Sequence, residues 1–194
     1  IAIANGVGVA ISGGASDNTV GGSEDGAGDL ISGNTGFGVW ISDLNTNSNS
    51  VEGSFIGTNP AGGPLPNGGS GVGIFNGASS NTVGGSEDGA GNLISGNGAN
   101  GVLISGNGTN VNKVEGNDIG TTSDGSSAIR NVGNGVKIEG GASGNTIGGT
   151  ETGAGNLISG NGLNGVEIDD AGTVSNKVEG NNIGTDLAGT AAVR

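Results

Sequence analysis

The chain contains no cysteine, histidine, methionine or tyrosine, and its 194 residues include only one tryptophan, three phenylalanines, three prolines and five lysines and arginines. Each absence removes a class of explanation. Without cysteine there are no disulfides and no thiolate metal sites. Without histidine there is no Ser-His-Asp triad and no imidazole-held zinc or iron, so any acid–base chemistry falls to carboxylates, lysine or arginine. With so few aromatic rings the core must be narrow and aliphatic. Five basic residues against 18 acidic ones give a formal charge of −13. That field repels phosphate backbones and anionic membrane surfaces, so nucleic acid is not an expected partner. No apolar run approaches the ~20 residues that span a bilayer, so membrane insertion is not expected either. No charged, apolar and small-residue leader opens the chain, and Ile1 in place of Met is what a processed, cloned or excerpted chain would show.

What is abundant is glycine, 48 residues of it, without the G-X-Y period of collagen. Composition alone would suggest low complexity, but Val, Ile and Leu recur at fixed offsets, which predicts a packed core. The segment Asn81–Asn97 has near-copies at Asn18–Asn34 and Asn145–Asn161, 63 residues before it and 64 after. Self-similarity at such a period marks a solenoid whose repeats bury their apolar faces on one another. The period divides again. A Gly-Val-x-Ile tetrad starts at Gly8, Gly38, Gly71, Gly101, Gly135 and Gly165. Each is followed by Asn-x-(Val/Ile)-x-Gly from Asn18, Asn49, Asn81, Asn112, Asn145 or Asn176, then by a segment carrying Ile31, Ile56, Ile94, Ile119, Ile158 or Ile183. The reading is six coils of about 30–34 residues, three short strands in each, in one domain over residues 1–194 made of about three double-coil units. Almost no helix is expected.

Residues two apart on a strand share a face. The repeated Val and Ile are therefore assigned inward, and the position between them, Ala10, Trp40, Gly73, Leu103, Lys137 and Glu167 in successive coils, outward. The Asn at the head of each second strand should turn inward at a corner and form a ladder of amides from Asn18 to Asn176. A second ladder, at Asn34, Asn97 and Asn161, is expected in alternate coils only. Gly22, Gly53, Gly85, Gly116, Gly149 and Gly180 are assigned to tight corners that need positive φ or a missing Cβ. Coils alternate in type. Odd coils carry their long turn after the second strand, as at 21–28, and even coils after the third, as at Asn59–Asn67 and Thr122–Ser127.

Candidate chemistry is sparse. Glu24-Asp25, Glu87-Asp88 and Glu151 fall in matching turns. They are read as solvated, with Ca²⁺ binding through hard oxygen ligands as the alternative; in the third copy Thr152 replaces the second acid. Glu52, Glu115 and Glu179 recur outward on alternate second strands, with Lys113 and Lys177 nearby. At two coils of ~4.8 Å each, successive Glu residues would stand ~9.6 Å apart, the long end of an inverting-glycosidase pair. Their faithful recurrence argues for a charged surface. Glu167, Asp169 and Asp170 form the one acidic cluster that breaks the pattern, and Arg130 and Arg194 in long turns cannot be placed beside it. Trp40, a single ring, is assigned to packing, and Thr58, Thr121 and Thr185 are too sparse for a flat threonine array. No catalytic, cofactor-binding or metal residue is assigned.

Gly-Val-x-Ile, then Asn-x-Val-x-Gly, then Asn-x-Ile-x-x resembles the parallel β-helix repeat of right-handed β-helix proteins, across essentially the whole chain. The resemblance implies an all-β, right-handed parallel β-helix. The Leu-Ile-Ser-Gly-Asn and Asn-x-Ile-Gly-Thr variants look most like repeats of large secreted or surface adhesin-like proteins. That implies a structural or adhesive segment, extracellular or at a cell surface, with a polysaccharide or cell-surface ligand among the expected partners. A carbohydrate-active enzyme on the same scaffold and a calcium-stabilised binding module are the alternatives. Residues 1–7 align near 128–134 and Arg194 with Arg130, so the two ends are in phase. End-to-end self-association into filaments is the expectation for exposed, uncapped strand edges.

Overall fold

The computed structural model describes residues 3–193, so the in-phase alignment of Ile1, Ala2 and Arg194 lies outside the described residues. Eighteen short strands form three parallel six-stranded sheets, and the described residues contain no helix. Sheet A takes the first strand of each coil: β1 (Val9–Ile11), β4 (Val39–Ser42), β7 (Val72–Phe75), β10 (Val102–Ser105), β13 (Val136–Glu139) and β16 (Val166–Ile168). Sheet B takes the second: β2 (Thr19–Gly21), β5 (Ser50–Glu52), β8 (Thr82–Gly84), β11 (Lys113–Glu115), β14 (Thr146–Gly148) and β17 (Lys177–Glu179). Sheet C takes the third: β3 (Leu30–Ile31), β6 (Phe55–Ile56), β9 (Leu93–Ile94), β12 (Asp118–Ile119), β15 (Leu157–Ile158) and β18 (Asn182–Ile183).

Register puts like on like. Val102 pairs with Val72 and Val136, Ile104 with Ile74 and Ile138, and Ile119 with Ile94 and Ile158. These inward rows are the core, fully buried in the middle coils. Each such side chain contributes on the order of 2 kcal/mol of hydrophobic stabilisation. β-Branched residues suit these strands because they pack tightly on a pleated, half-buried surface.

The alternation of turns is as the sequence indicates. Eight residues separate β8 from β9, but only Gly116 and Asn117 separate β11 from β12, with the long even-coil turn following β12. The odd-coil turn does not stand free along its whole length. Ala90 and Ala154 fold back into burial, and their carbonyls accept from the N–H of Gly53 and Gly116. Gly116 has φ +67, and a Cβ there would collide with the Gly85 carbonyl oxygen. In the third and fifth coils the corner's two requirements, positive φ and a missing Cβ, fall on neighbouring glycines. Gly84 (φ +85) and Gly148 (φ +87) carry the left-handed conformation, one residue before Gly85 and Gly149. Gly85 and Gly149 are small for another reason: the folded-back Ala90 and Ala154 lie against them.

Every corner holds an asparagine ladder. The first links Asn18, Asn49, Asn81, Asn112, Asn145 and Asn176 through side-chain amide bonds of 2.8–3.1 Å. The second is continuous and not confined to alternate coils. Asn67 and Asn131, at the ends of the long even-coil turns, fill the gaps in a run Asn5, Asn34, Asn67, Asn97, Asn131, Asn161. The third, Asn92, Asn117, Asn156 and Asn181, lies between sheets B and C. Ser54 and Asp29 hold the same place in the first two coils; Ser54 N–H donates to Asn92 Oδ1 and Asp29 N–H to Ser54 Oγ. In all three ladders Nδ2 donates to Oδ1 of the next coil towards the C-terminus. Buried amides so paired satisfy corner backbone groups as well, as Asn117 Nδ2 does at Val83 O. The residue before each member of the first ladder is left-handed: Asp17, Ser48, Ser80, Val111, Gly144 and Ser175. A β-branched residue at φ +57 makes Val111 the strained member of that set.

Candidate functional site

The interior is the same in every coil, so anything particular to this protein must lie on the outer faces. On sheet A the outward row runs Ala10, Trp40, Gly73, Leu103, Lys137, Glu167, as the periodicity indicates. Two patches divide it. Near the N-terminal end, Trp40 stacks on Phe75 at 4.4 Å between ring centroids, and Phe37 meets both edge-on at 4.9 and 5.4 Å. Three of the four aromatic rings therefore make one cluster, where the sequence reading treats Trp40 as isolated. Gly73 leaves the room: a Cβ there would enter the Phe75 ring. Near the other end, Lys137 Nζ lies 2.8 Å from Glu139 and 3.9 Å from Glu167. The hydrogen bond to Glu139 is the main reason the Lys137 ammonium is held above its ordinary range. Glu167 also accepts from Asn134 Nδ2 at 2.7 Å.

Glu167 therefore belongs to this ion-pair patch. Asp170 is separate from it: left-handed at φ +73, its carboxylate accepts from the Gly140 N–H, as Asp43 does from Gly13. The structure thus divides the acidic cluster between an ion pair and a corner cap, with Asp169 exposed between them. Arg130 is exposed in its turn, and Arg194 lies outside the described residues.

On sheet B, Glu52, Glu115 and Glu179 alternate with the glycines of odd coils, Glu115 opposite Gly84 and Glu179 opposite Gly148. Glu115 is paired with Lys113 at 3.0 Å. The third acidic turn leans over this face, so Glu151 joins Lys113, Glu115 and Glu179 around a cleft of about 290 Å³. The acids Glu24, Asp25, Glu87 and Asp88 stay exposed in their turns. Among the described residues no group of three or more Asp or Glu is gathered closely enough to hold a metal ion.

Sheet C carries a feature that the sequence reading passes over. Its outward row is Leu30, Phe55, Leu93, Asp118, Leu157 and Asn182, so Asp118 sits between two buried leucines. Burial pushes its carboxyl from 3.8 up to about 6, and the charge of Asp124 adds to the rise. Asp124 is itself held down at about 2 by bonds from Thr122 and Ser126. Asp118 borders two shallow clefts of about 170 and 280 Å³, floored by the corner glycines. Two carboxyls with separated proton affinities can in principle divide acid and base roles. Here one of them, Asp124, is spent on its own turn, its Oδ1 accepting from Thr122 Oγ1, Ser126 N–H and Ser126 Oγ.

No protein-family model, curated protein or solved structure matches this chain.

Proposed function

We propose that the chain is a structural or adhesive β-solenoid segment of a secreted or cell-surface protein, able to associate with itself end to end. The observation that supports this reading is continuity. Core rows run through all six coils, two asparagine ladders have six members each and the third links four coils, while the chemistry-bearing side chains are spread over three outer faces. A stiff body with variable outward rows suits display and spacing. The aromatic and ion-pair patches of sheet A are the surface through which it would meet a cell-surface or polysaccharide ligand.

One feature favours a second reading, a carbohydrate-active enzyme: the cleft that gathers Lys113, Glu115, Glu151 and Glu179. The two readings separate in one assay. The chain is incubated with neutral and acidic polysaccharides and the appearance of new chain ends is measured. The structural reading expects none. Release of chain ends that Glu115→Gln abolishes would replace it with the enzymatic one.

A further inference from the structure

The two ends of the solenoid are unlike, and the difference is directional. At the C-terminal end the inward side chains of the last coil protrude: Ile168, Val178 and Ile183 are 44, 41 and 45% exposed. Their counterparts in the first coil, Ile11, Val20 and Ile31, are only 6, 8 and 5% exposed. Inner side chains therefore lean towards the following coil, leaving knobs at one end and a hollow at the other. The hollow is a recess of about 260 Å³ lined by Asn5, Val9, Asp29 and Ile31.

The ladders share the same direction. Inside the stack each asparagine gives its Nδ2–H to Oδ1 of the next coil, and in the first ladder its backbone N–H as well; Asn145 gives both to Asn176. Among the described residues, Asn176 Nδ2 donates only to Ala142 O and keeps one N–H unspent, while Asn161 and Asn181 Nδ2 each serve two backbone carbonyls and would share a hydrogen with a further acceptor, as Asn117 does inside the stack. The N-terminal end presents acceptors. Among the described residues Oδ1 of Asn5 and of Asn18 receives nothing, and Asp29 occupies the third ladder position with a carboxylate, which can only accept.

Resting on the end-to-end reading above, we infer that the partner of the C-terminal face is the first coil of a second copy, joined head to tail with all three ladders in register. Asn161 then donates to Asn5, Asn176 to Asn18, and Asn181 to Asp29 of the second copy, while Ile183 enters the recess over Ile31. The even-odd alternation of coils continues across the joint. Tail-to-tail pairing opposes donor to donor and knob to knob. Head-to-head pairing opposes Asp29 to Asp29 and leaves both recesses empty. The joint is thus heterologous and open-ended, not an isologous dimer.

Two blocked variants of the 194-residue chain test this. Val178→Lys/Ile183→Lys blocks the C-terminal face, and Asn5→Lys/Asp29→Lys the N-terminal one. All four positions are already exposed, so folding is retained; unchanged circular dichroism and melting check this, and Ile168→Lys replaces the first pair if they change. Mass is measured by light scattering across a concentration series. The wild type should grow past twofold without a plateau, each blocked variant should stay at single mass, and their equimolar mixture should reach twofold and stop. An N-blocked variant that dimerises alone overturns the polarity while leaving end-to-end association standing. A wild type that keeps the single-chain mass of 18.1 kDa at every concentration overturns the association itself. Neither result touches the structural-against-enzymatic choice, which the polysaccharide assay decides.

Discussion

The inner and outer faces of sheet A are built by the same strands and follow opposite rules. Inward, Val and Ile repeat without exception from β1 to β16. Outward, the row passes from an aromatic cluster through Leu103 to an ion-pair patch. Ile104 and Leu103 are neighbours in sequence, yet one is fully buried and the other lies on the half-exposed surface. The difference shows where the fold is decided. Stacking on an identical residue demands one shape, and the outer face demands only something compatible with a strand.

The contrast can be broken most sharply at that pair. Ile104→Ala should cost about 3–4 kcal/mol in unfolding free energy, because the flanking Ile74 and Ile138 cannot collapse into the gap. Leu103→Ala should cost about 1 kcal/mol or less, and chemical denaturation that gave equal losses would remove the distinction. Next, Gly116→Val places a β-branched side chain at φ +67 against carbonyl oxygens, an expected loss of about 3 kcal/mol. Ser127→Ala in the long turn should change stability by less than ~0.5 kcal/mol, and coincident melting curves for the two variants would contradict the corner.

Asp118 inverts the usual direction, since an outward position should here be improved by substitution. Its folded carboxyl titrates at about 6 against an ordinary 3.8, so the folded state holds a proton that the unfolded state has released between those values. Stability attributable to this group is greatest below pH ~4 and falls as pH rises through ~6. Asp118→Asn should accordingly stabilise by about 2 kcal/mol at pH 7.5 and by much less at pH 4, read from melting at both. A smaller gain, about 1 kcal/mol, is expected for Val111→Asn, because asparagine tolerates the left-handed conformation that valine resists. Calcium should have the smallest effect of all. With no described carboxylate group gathered to hold an ion, melting in millimolar Ca²⁺ and in chelator should coincide. A rise of several degrees with Ca²⁺ would give the acidic turns a role.

The inner face was legible because its rule is local: Val-x-Ile with glycine before it fixes strand, direction and stacking partner together. The first asparagine ladder was legible for the same reason. The second was only half so. Asn67 and Asn131 stand at the ends of turns of different length, so no constant offset from the preceding strand reveals them, although each lies four residues before a Gly-Val tetrad, as Asn34, Asn97 and Asn161 do. The third ladder shares its strands' Asn-Leu-Ile and Asn-Asp-Ile openings, where the apolar residue draws attention from the amide. Outer-face features were the least legible. Phe75 meets Trp40 only through coil register, although Phe37 lies three residues from it in the same coil, and the environment of Asp118 arises from leucines one coil away on either side.

The uniform direction of the ladders has an electrical consequence. Backbone bonds in parallel sheets point alternately up and down the stack, and their dipoles largely cancel. The ladder amides do not cancel: every Nδ2 points towards the last coil and every Oδ1 towards the first. Three columns of side chains thus give the solenoid a moment along its axis, positive at the C-terminal end, as aligned peptide groups do for a helix. Because the last coil itself carries Glu167, Asp169, Asp170, Glu179 and Asp186, this moment opposes, at that end face, the negative charge that surrounds it.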